Sequence, residues 1–394
     1  MEREGYSYIM LAYNSKNQLI EYEEKNNLKV CNNCHKIYRQ IMYEQIFGMR
    51  DREYDNCPYC YAENGSSMIH DYSNSPINVV ELNNLKTKSL IDTVVGYCNR
   101  EYVGGNCLTC NHKNKCPGKC IGDCKSCLEE VHYPNKYPLG KKNYDCLRML
   151  QFYVCDYTFK YSSEMLYLMR KSEALRNIEE YRVVSIGCGG CPDLMAFETY
   201  CHQEENWKSV KYIGIDVNQN WRAIHEVIKQ YNTTTIETPR FFYMDAVTDE
   251  HYEISDANVI VLQYVISHFY NTGQINKINS FFDKLVQKIV IHKQERTPFV
   301  IMINDVNSNK RGRDYFQMVV DKLQNAGFHG IFKKFYFDYN IQNEYQRYGT
   351  KHVSNDVLYK IPPEFHIYQP WEECSSAQLL IEVCGRLDND NKRK

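Results

Sequence analysis

The feature that most constrains this chain is a strand, a glycine turn and a helix that follow one another directly. Residues 182–186 form a short, β-rich apolar run, residues 187–190 read Gly-Cys-Gly-Gly, and residues 193–200 have helical character. Glycine takes positive φ without strain and lets the backbone approach a ligand closely. A helix that begins at such a turn points free N–H groups at the space above the strand ends. The stretch therefore predicts a ligand-binding unit, although an ordinary strand–turn–helix without a ligand has the same pattern.

A second apolar strand, predicted over residues 211–215, ends on Asp216. An acidic residue at that position is placed to accept hydrogen bonds from a ribose diol, so the ligand is expected to carry a nucleoside. A dinucleotide fingerprint requires a third glycine, and Pro192 stands in its place. A phosphate loop is excluded because no Gly-Lys-Ser/Thr sequence is present.

Beyond Asp216 the chain continues to alternate between apolar strands and amphipathic helices. The alternation predicts an α/β fold with a doubly wound, mostly parallel sheet of seven strands. The five later strands are predicted over residues 240–244, 258–262, 299–303, 331–337 and 378–383. Ahead of the first strand, residues 144–181 are predicted to form two helices separated near residues 161–163, with Ser162 or Ser163 capping the second.

The glycine turn and its downstream acids resemble the class I S-adenosylmethionine-dependent methyltransferases, whose motif I holds the methionine part of the cofactor. The likeness covers roughly residues 160–385, and it implies a seven-stranded sheet whose last strand is antiparallel. One departure is Ser185, where the family usually has Asp or Glu. By this resemblance, Asp216 binds the ribose hydroxyls and Asp245 lies beside the adenine amino group. The cofactor-binding residues that it implies are Ser185, Gly187, Gly189, Cys191, Asp216, Val217, Asp245, Ala246 and Gln263.

The end of the fourth strand, Gln263 to His268, faces both cofactor and substrate in that family. The Asn/Asp-Pro-Pro-Tyr/Phe motif of base-methylating enzymes is absent there, which favours a small-molecule or other non-base acceptor. The candidate catalytic residues are His268 and Tyr264. His268 is either a general base, with a pKa suited to neutral pH, or a structural histidine. Tyr264 either shapes the acceptor pocket or packs.

The chain contains 18 cysteines, most of them ahead of the glycine turn. In a reducing compartment such clusters indicate metal ligation rather than disulfides. Two Cys-x-x-Cys knuckles are spaced as in a zinc ribbon, and they predict a closed, structural tetrahedral zinc site. Its ligands are Cys31, Cys34, Cys57 and Cys60.

A second, denser cysteine cluster follows, and its spacing resembles the SPASM domains that bind auxiliary iron–sulfur clusters. Its last three cysteines also have radical S-adenosylmethionine spacing, with Ser126 in place of the usual aromatic residue. Iron–sulfur and additional zinc both remain open for this cluster. The six candidate ligands are Cys107, Cys110, Cys116, Cys120, Cys124 and Cys127.

The net charge of −2 argues against a global nucleic-acid-binding field, although residues 107–148 are locally basic. No apolar run is long enough to span a membrane, and a cytoplasmic protein is expected. The predicted organisation is a zinc-ribbon-like region (1–97), a second metal-binding segment (98–143), a methyltransferase-like domain (144–386) and a polar tail (387–394).

Three hypotheses follow from the sequence. The first is a methyltransferase with a metal-stapled recognition region, acting on RNA, protein or a small molecule. The second is a radical or redox enzyme that uses an iron–sulfur cluster beside the cofactor. The third is a non-catalytic protein that senses S-adenosylmethionine and binds a partner. The acceptor and the oligomeric state are left open by the sequence.

Overall fold

A computed structural model of the chain divides into two compact units, Met1–Ser89 and Leu90–Lys394. The structure describes residues 28–31, 37–39, 41–42, 52–53, 69–71, 89–104, 124–203, 208–231, 233, 235–246, 248–249, 252, 254–292, 299–308, 311–338 and 347–386.

The described part of the first unit consists of five short strands. Strand β1 pairs antiparallel with both β2 and β5, and β3 pairs antiparallel with β4. The strands are β1 (Leu28–Cys31), β2 (Ile37–Arg39), β3 (Ile41–Met42), β4 (Arg52–Glu53) and β5 (Ile69–Asp71). Cys31 ends β1, but its side chain and the other three ribbon cysteines lie outside the described residues, as do Cys107, Cys110, Cys116 and Cys120.

The second unit alternates strands and helices around one sheet. Its helices are α1 (Leu90–Gly104), α2 (Cys124–His132), α3 (Leu147–Met169), α4 (Glu173–Asn177), α5 (Pro192–Gln203), α6 (Arg222–Gln230), α7 (Val265–Asn271), α8 (Ile278–His292) and α9 (Phe316–Asn325). Its strands are β6 (Tyr181–Ile186), β7 (Val210–Asp216), β8 (Arg240–Tyr243), β9 (Val259–Gln263), β10 (Phe299–Val306), β11 (Phe328–Tyr336), β12 (Thr350–Lys351) and β13 (Ser376–Arg386).

The sheet has the order β12-β11-β13-β10-β9-β6-β7-β8. Strands β6 to β10 are parallel to one another, whereas β13 runs antiparallel to both β10 and β11. The topology thus has the doubly wound arrangement and the antiparallel last strand expected from the sequence. The predicted count of seven strands was wrong by one, because the two-residue edge strand β12 is too short to give an alternating pattern.

Apolar side chains point to both faces of the sheet, so it is the central layer of three. On β9, for example, Val259 and Val261 pack on one face, and Ile260 and Leu262 on the other. Strands that are apolar on both faces are typical of a parallel sheet covered by helices on each side. Helices α1, α3, α5 and α6 cover the first face, and α8 and α9 cover the second.

Helix α3 is one continuous buried helix, and the break predicted near residues 161–163 was wrong. Ser163 does not cap a helix; its hydroxyl donates to the Phe159 carbonyl oxygen at 2.7 Å and accepts from the backbone N–H of Leu358 at 2.8 Å. This back-bonding one turn earlier satisfies the serine inside a helix. Helix α1 packs on α3 in the same core and crosses the domain boundary predicted at residue 97.

No helix among the described residues is long and apolar enough to span a bilayer.

Candidate active site

A cavity of about 710 Å³ lies at the carboxyl ends of the parallel strands. Its floor is formed by the residues that end β6, β7 and β9, and its opposite side is formed by α3, with α2 and α7 at the rim. Ligands bind at this edge in open α/β sheets, because the strand ends and the helix N-termini both face it.

The cavity brings together all but two of the predicted cofactor-binding and catalytic residues. Ser185 and Cys191 do not line it: Ser185 is buried in β6 and hydrogen-bonds Asp193, and Cys191 is buried beneath the glycine turn. The predicted residues that do line it are Gly187, Gly189, Asp216, Val217, Asp245, Ala246, Gln263, Tyr264 and His268.

The glycine turn requires its glycines for two reasons. Gly187 and Gly189 have φ of 69° and 49°, in the left-handed region that favours glycine. A Cβ on Gly187 would also lie 2.7 Å from Cγ2 of Val265, at the start of α7. The backbone N–H of Gly187 donates to the Ile215 carbonyl oxygen at 2.7 Å, which ties the turn to the end of β7. The turn therefore presents bare backbone to the cavity.

Asp216 fixes the turn from the second strand. Its Oδ2 accepts from the backbone N–H of Gly189 at 2.9 Å, and its Oδ1 accepts from the backbone N–H of Asn218 at 2.8 Å. Burial raises the pKa of this carboxyl, and the two N–H donors oppose that shift. Each carboxylate oxygen still has a lone pair for a further donor, so Asp216 is able to hold a diol while it holds the turn.

The end of β9 carries an unsatisfied acceptor into the cavity. The Nε2 of Gln263 donates to the backbone carbonyl oxygen of Tyr161 at 2.9 Å, whereas its Oε1 is buried without a partner among the described residues. The Oδ1 of Asn271, which also lines the cavity, has none either within the described part of the chain. Because buried acceptors are rarely left unpaired, the two oxygens point to a ligand that donates hydrogen bonds.

Tyr264 is held rigidly in the αL conformation that begins α7, with φ of 57°. Its hydroxyl donates to Oε2 of Glu164 at 2.8 Å, and its ring stacks on Tyr161 at a centroid distance of 4.1 Å. The hydroxyl is thus occupied, and burial raises the pKa of Tyr264 well above its ordinary value. In this geometry Tyr264 shapes the cavity by packing and does not serve as a proton donor to a ligand.

Glu164, in the middle of α3, is completely buried and organises that side of the cavity. Besides the Tyr264 hydroxyl, its carboxylate accepts from Nδ2 of Asn304 at 3.0 Å and from the backbone N–H of Ser375 at 2.9 Å. Lys160 lies one turn earlier, with its Nζ 3.9 Å from Oε1 of Glu164 and 2.8 Å from the Ser375 hydroxyl. A buried carboxylate is tolerated only with such a set of donors.

A row of rings on α3 faces the cavity at helical spacing. Tyr153 stacks on Tyr157 at 4.9 Å, and Tyr157 lies 5.2 Å from Tyr161 between ring centroids. Trp371 and Tyr144 extend the surface at its two ends. We call Tyr144, Tyr153, Tyr157, Tyr161 and Trp371 the aromatic wall.

Two histidines lie at the wall, and they differ in their partners. His132 is held between the hydroxyls of Tyr144 and Tyr157, at 2.9 and 3.3 Å. Burial, with Lys160 and His268 nearby, lowers the pKa of His132 to about 4. Burial also lowers the pKa of His268, whose ring stacks on Tyr144 at 5.9 Å and makes no side-chain hydrogen bond within the described part of the chain. His268 is therefore neutral at neutral pH, and its ring nitrogens at the cavity have no partner among the residues that the structure describes.

Asp305, near the end of β10, has a structural role. Its carboxylate is completely buried and accepts from the backbone N–H groups of Ile266 and Ser267 at 2.8 and 3.2 Å. It therefore caps the start of α7 and holds the Tyr264 backbone in place. It does not line the cavity.

Sequence reasoning missed the aromatic wall and the Glu164 network, although one signal was present. Tyr153, Tyr157, Lys160, Tyr161 and Glu164 recur at intervals of three and four, which marks one face of a continuous helix. The serines at residues 162–163 predicted a break between two helices, so this continuous helix face was not recognised.

No family model matches the chain, and no curated protein matches it. Solved structures of similar fold include an O-methyltransferase family protein from Burkholderia thailandensis (10% identity, TM-score 0.36, covering 76% of this chain and 73% of that one). They also include the methyltransferase domain of a bacterial Hen1 protein (14%, 0.34, 56% and 98%) and the [4+2]-cyclase SpnF (11%, 0.34, 57% and 82%). These likenesses are too distant to carry activities over to this chain, and the assignment below rests on its own topology and site.

Proposed function

We propose that this protein is an S-adenosylmethionine-dependent methyltransferase. The observation that carries the proposal is the glycine turn, whose bare backbone faces the cavity while its Gly189 N–H is bound by the acid that ends β7. The strand order with an antiparallel β13 supports it independently, as does the Gln263 oxygen at the same cavity, which has no partner among the described residues.

In this proposal the two ends of the cavity bind different parts of the cofactor. At one end, Asp216 and Asp245 offer acceptors for a ribose and an adenine, with Val217 and Ala246 as apolar neighbours. At the other end, Gln263 offers its Oε1 to a donor such as an α-amino group. When bound, S-adenosylmethionine supplies a methyl group already activated on a sulfonium. The protein then contributes mainly by positioning the acceptor in line with that methyl group.

We propose that the acceptor is a molecule with a flat, conjugated group. The aromatic wall offers ring faces on one side of the cavity, and ring stacking or edge contacts stabilise such a group by about 1 kcal/mol per pair. Lys160 and Arg311 add positive charge on the acceptor side. If the acceptor carries a proton, His268 is the residue that removes it, since it is neutral and its ring nitrogens have no partner in the described part of the chain.

We further propose that zinc stabilises the first cysteine-rich segment by binding Cys31, Cys34, Cys57 and Cys60. Two Cys-x-x-Cys knuckles support this assignment, since four thiolates complete a closed tetrahedral site. In the second cluster, Cys124 and Cys127 lie one turn apart on α2, which is compatible with joint ligation.

The test is titration calorimetry of the full-length chain with S-adenosylmethionine. We expect Asp216→Ala to weaken binding about 100-fold, because it removes both the ribose acceptor and the tie to Gly189. The matched control is Asp321→Asn on α9, an exposed acid far from the cavity, which should bind as the wild type does. Wild-type protein that binds no S-adenosylmethionine would contradict the proposal.

Binding without turnover would separate a methyltransferase from a sensor. Wild-type protein that transfers a labelled methyl group to an acceptor mixture, with loss of transfer in Asp216→Ala, supports the enzyme. Cofactor binding with no transfer to any acceptor class favours a binding protein.

A further inference from the structure

Beneath the glycine turn, on the side away from the cavity, two thiols and an imidazole converge. Cys188 and Cys191 come from the turn itself, as a Cys-Gly-Gly-Cys sequence, and His225 comes from α6. Their ligand atoms all lie within 4.8 Å of one another, and all three residues are buried. None of them lines the cavity.

We propose that Cys188, Cys191 and His225 form a buried metal site that takes zinc. The donor set of two thiolates and one imidazole suits zinc, which binds sulfur and nitrogen ligands in tetrahedral geometry, and it fills three of the four positions. Its three ligands are different residues from the candidate ligands in the two cysteine-rich segments.

The spacing of the cluster supports coordination. The Sγ of Cys188 lies 3.9 Å from Nε2 of His225. Two ligands of one zinc ion, with Zn–S of about 2.3 Å and Zn–N of about 2.0 Å, lie roughly 3.5–4 Å apart at tetrahedral angles. An ion between these atoms therefore requires only small shifts of the side chains.

The surroundings hold the imidazole in the orientation a metal needs. Nδ1 of His225 lies 2.9 Å from the Tyr243 hydroxyl, and its ring stacks on Phe241 at 3.9 Å with an interplanar angle of 8°. Metal-bound histidines usually have such a partner on the second nitrogen, which leaves Nε2 free for the metal. Space for the Cys188 thiol comes from Gly214, where a Cβ would lie 2.8 Å from its Sγ.

Without a metal, Nε2 of His225 is paired with the Gly189 carbonyl oxygen at 2.7 Å. Binding of zinc exchanges this hydrogen bond for a bond to the ion. The proton then resides on Nδ1, where the Tyr243 oxygen accepts it, and the two thiol protons are released to solvent. The fourth position of the ion is then taken by the Gly189 carbonyl oxygen or by a water molecule.

Gly189 links this site to Asp216, so an ion bound to the cluster would help to fix the glycine turn. The N–H of Gly189 binds Asp216, while its carbonyl faces the His225 cluster. This consequence rests on the proposed function: we expect Cys191→Ala to bind S-adenosylmethionine about tenfold more weakly than Cys201→Ala, a coupling of ordinary size between two sites.

The first test measures zinc per chain by mass spectrometry after full-length protein is prepared with Zn²⁺ and a thiol reductant. We expect Cys188→Ala, Cys191→Ala and His225→Gln each to hold about one equivalent less than the wild type. The matched control is Cys201→Ala, a buried thiol on α5 outside the cluster, which should keep the full complement. The cysteine-rich segments are intact in every variant, so their metal cancels in the difference. Equal zinc in folded variants and wild type overturns the proposal.

The second test needs no variant and therefore does not depend on their folding. Crystals of the wild-type chain grown with Zn²⁺ should give an anomalous difference peak at the zinc edge about 2.0–2.3 Å from the three ligand atoms. An absent peak, or a disulfide between Cys188 and Cys191, overturns the proposal. Both tests detect metal rather than methyl transfer, so their failure is distinct from failure of the proposed function.

Discussion

The two sides of the cavity are built in different ways. On the glycine-turn side, contacts to a ligand come from backbone and short acids at the strand ends, such as Gly187 and Asp216, and hydrogen bonds between neighbouring loops hold them. On the opposite side, contacts come from long side chains of one helix, such as Tyr157 and Tyr161, whose positions depend on packing and on the buried carboxylate of Glu164.

The contrast fits the two tasks of the transferase that we propose. A cofactor that is always the same is best held by fixed backbone geometry, whereas an acceptor is selected by side chains that differ between enzymes. Cofactor binding on the glycine-turn side should therefore tolerate substitutions in the aromatic wall. The wall itself should be disrupted by substitutions that remove its packing or its buried polar contacts.

The largest effect is expected at Glu164. Glu164→Ala removes the ion-pair partner of the Lys160 ammonium and leaves several N–H and O–H donors buried without their acceptor, which should lower the free energy of unfolding by about 4 kcal/mol. Denaturant unfolding followed by circular dichroism measures it.

The control is Glu226→Ala, which removes an exposed partner of Lys229 on α6 and should cost less than about 1 kcal/mol. A loss at Glu164 no larger than that of the control would show that the wall does not depend on its buried carboxylate.

A second prediction concerns low pH. His132 on one side of the cavity and Asp216 on the other should change the free energy of unfolding in opposite directions. The pKa of His132 is lowered to about 4 in the folded protein, against 6.5 for an ordinary histidine. As the pH falls below 6.5, the unfolded chain takes up the proton first, so His132 lowers stability by about 3 kcal/mol at pH 4. Asp216 has a raised pKa, so the stability that it contributes is present at low pH and lost as the pH rises.

The measurement compares the unfolding free energy of wild type, His132→Gln and Asp216→Asn between pH 7 and pH 4. Relative to His132→Gln, the wild type should lose stability as the pH falls. Relative to Asp216→Asn, it should gain stability over the same change. The same sign for both differences would contradict the comparison.

The two sides also differ in how far the sequence predicted them. The glycine turn, Asp216 and Asp245 are adjacent to their own strands, so a local pattern was enough to place them at one edge. The four tyrosines of the aromatic wall precede the first strand of the sheet, β6. Their orientation toward the cavity depends on α1 and on residues near Trp371 that cover the other faces of α3. No local pattern records those distant contacts.

Cys191 shows the same limit within the turn itself. Its place in the motif predicted a cofactor contact, but its left-handed φ of 59° turns the residue inward, where the thiol lies near His225 rather than at the cavity. Sequence separation between Cys191 and α6 hides this cluster, because His225 alone gives no metal-binding spacing.

The smallest change in stability is expected for substitutions of Tyr157. Two variants distinguish the contribution of the ring from that of its hydroxyl. Tyr157→Phe keeps the ring and removes the 3.3 Å hydrogen bond to Nδ1 of His132, which should cost about 0.5 kcal/mol of unfolding free energy. Tyr157→Leu also removes the ring that stacks on Tyr153, and should cost about 1 kcal/mol more. Denaturant unfolding of the two variants measures the difference.

Titration with S-adenosylmethionine completes the experiment. Neither Tyr157 variant should change cofactor affinity by more than about twofold, because the turn and Asp216 hold their own hydrogen bonds without the wall. Acceptor-dependent turnover should fall for Tyr157→Leu and persist for Tyr157→Phe, since the ring face rather than the hydroxyl meets the acceptor. Equal loss of cofactor binding in both variants would instead mean that the two sides of the cavity form one cooperative unit.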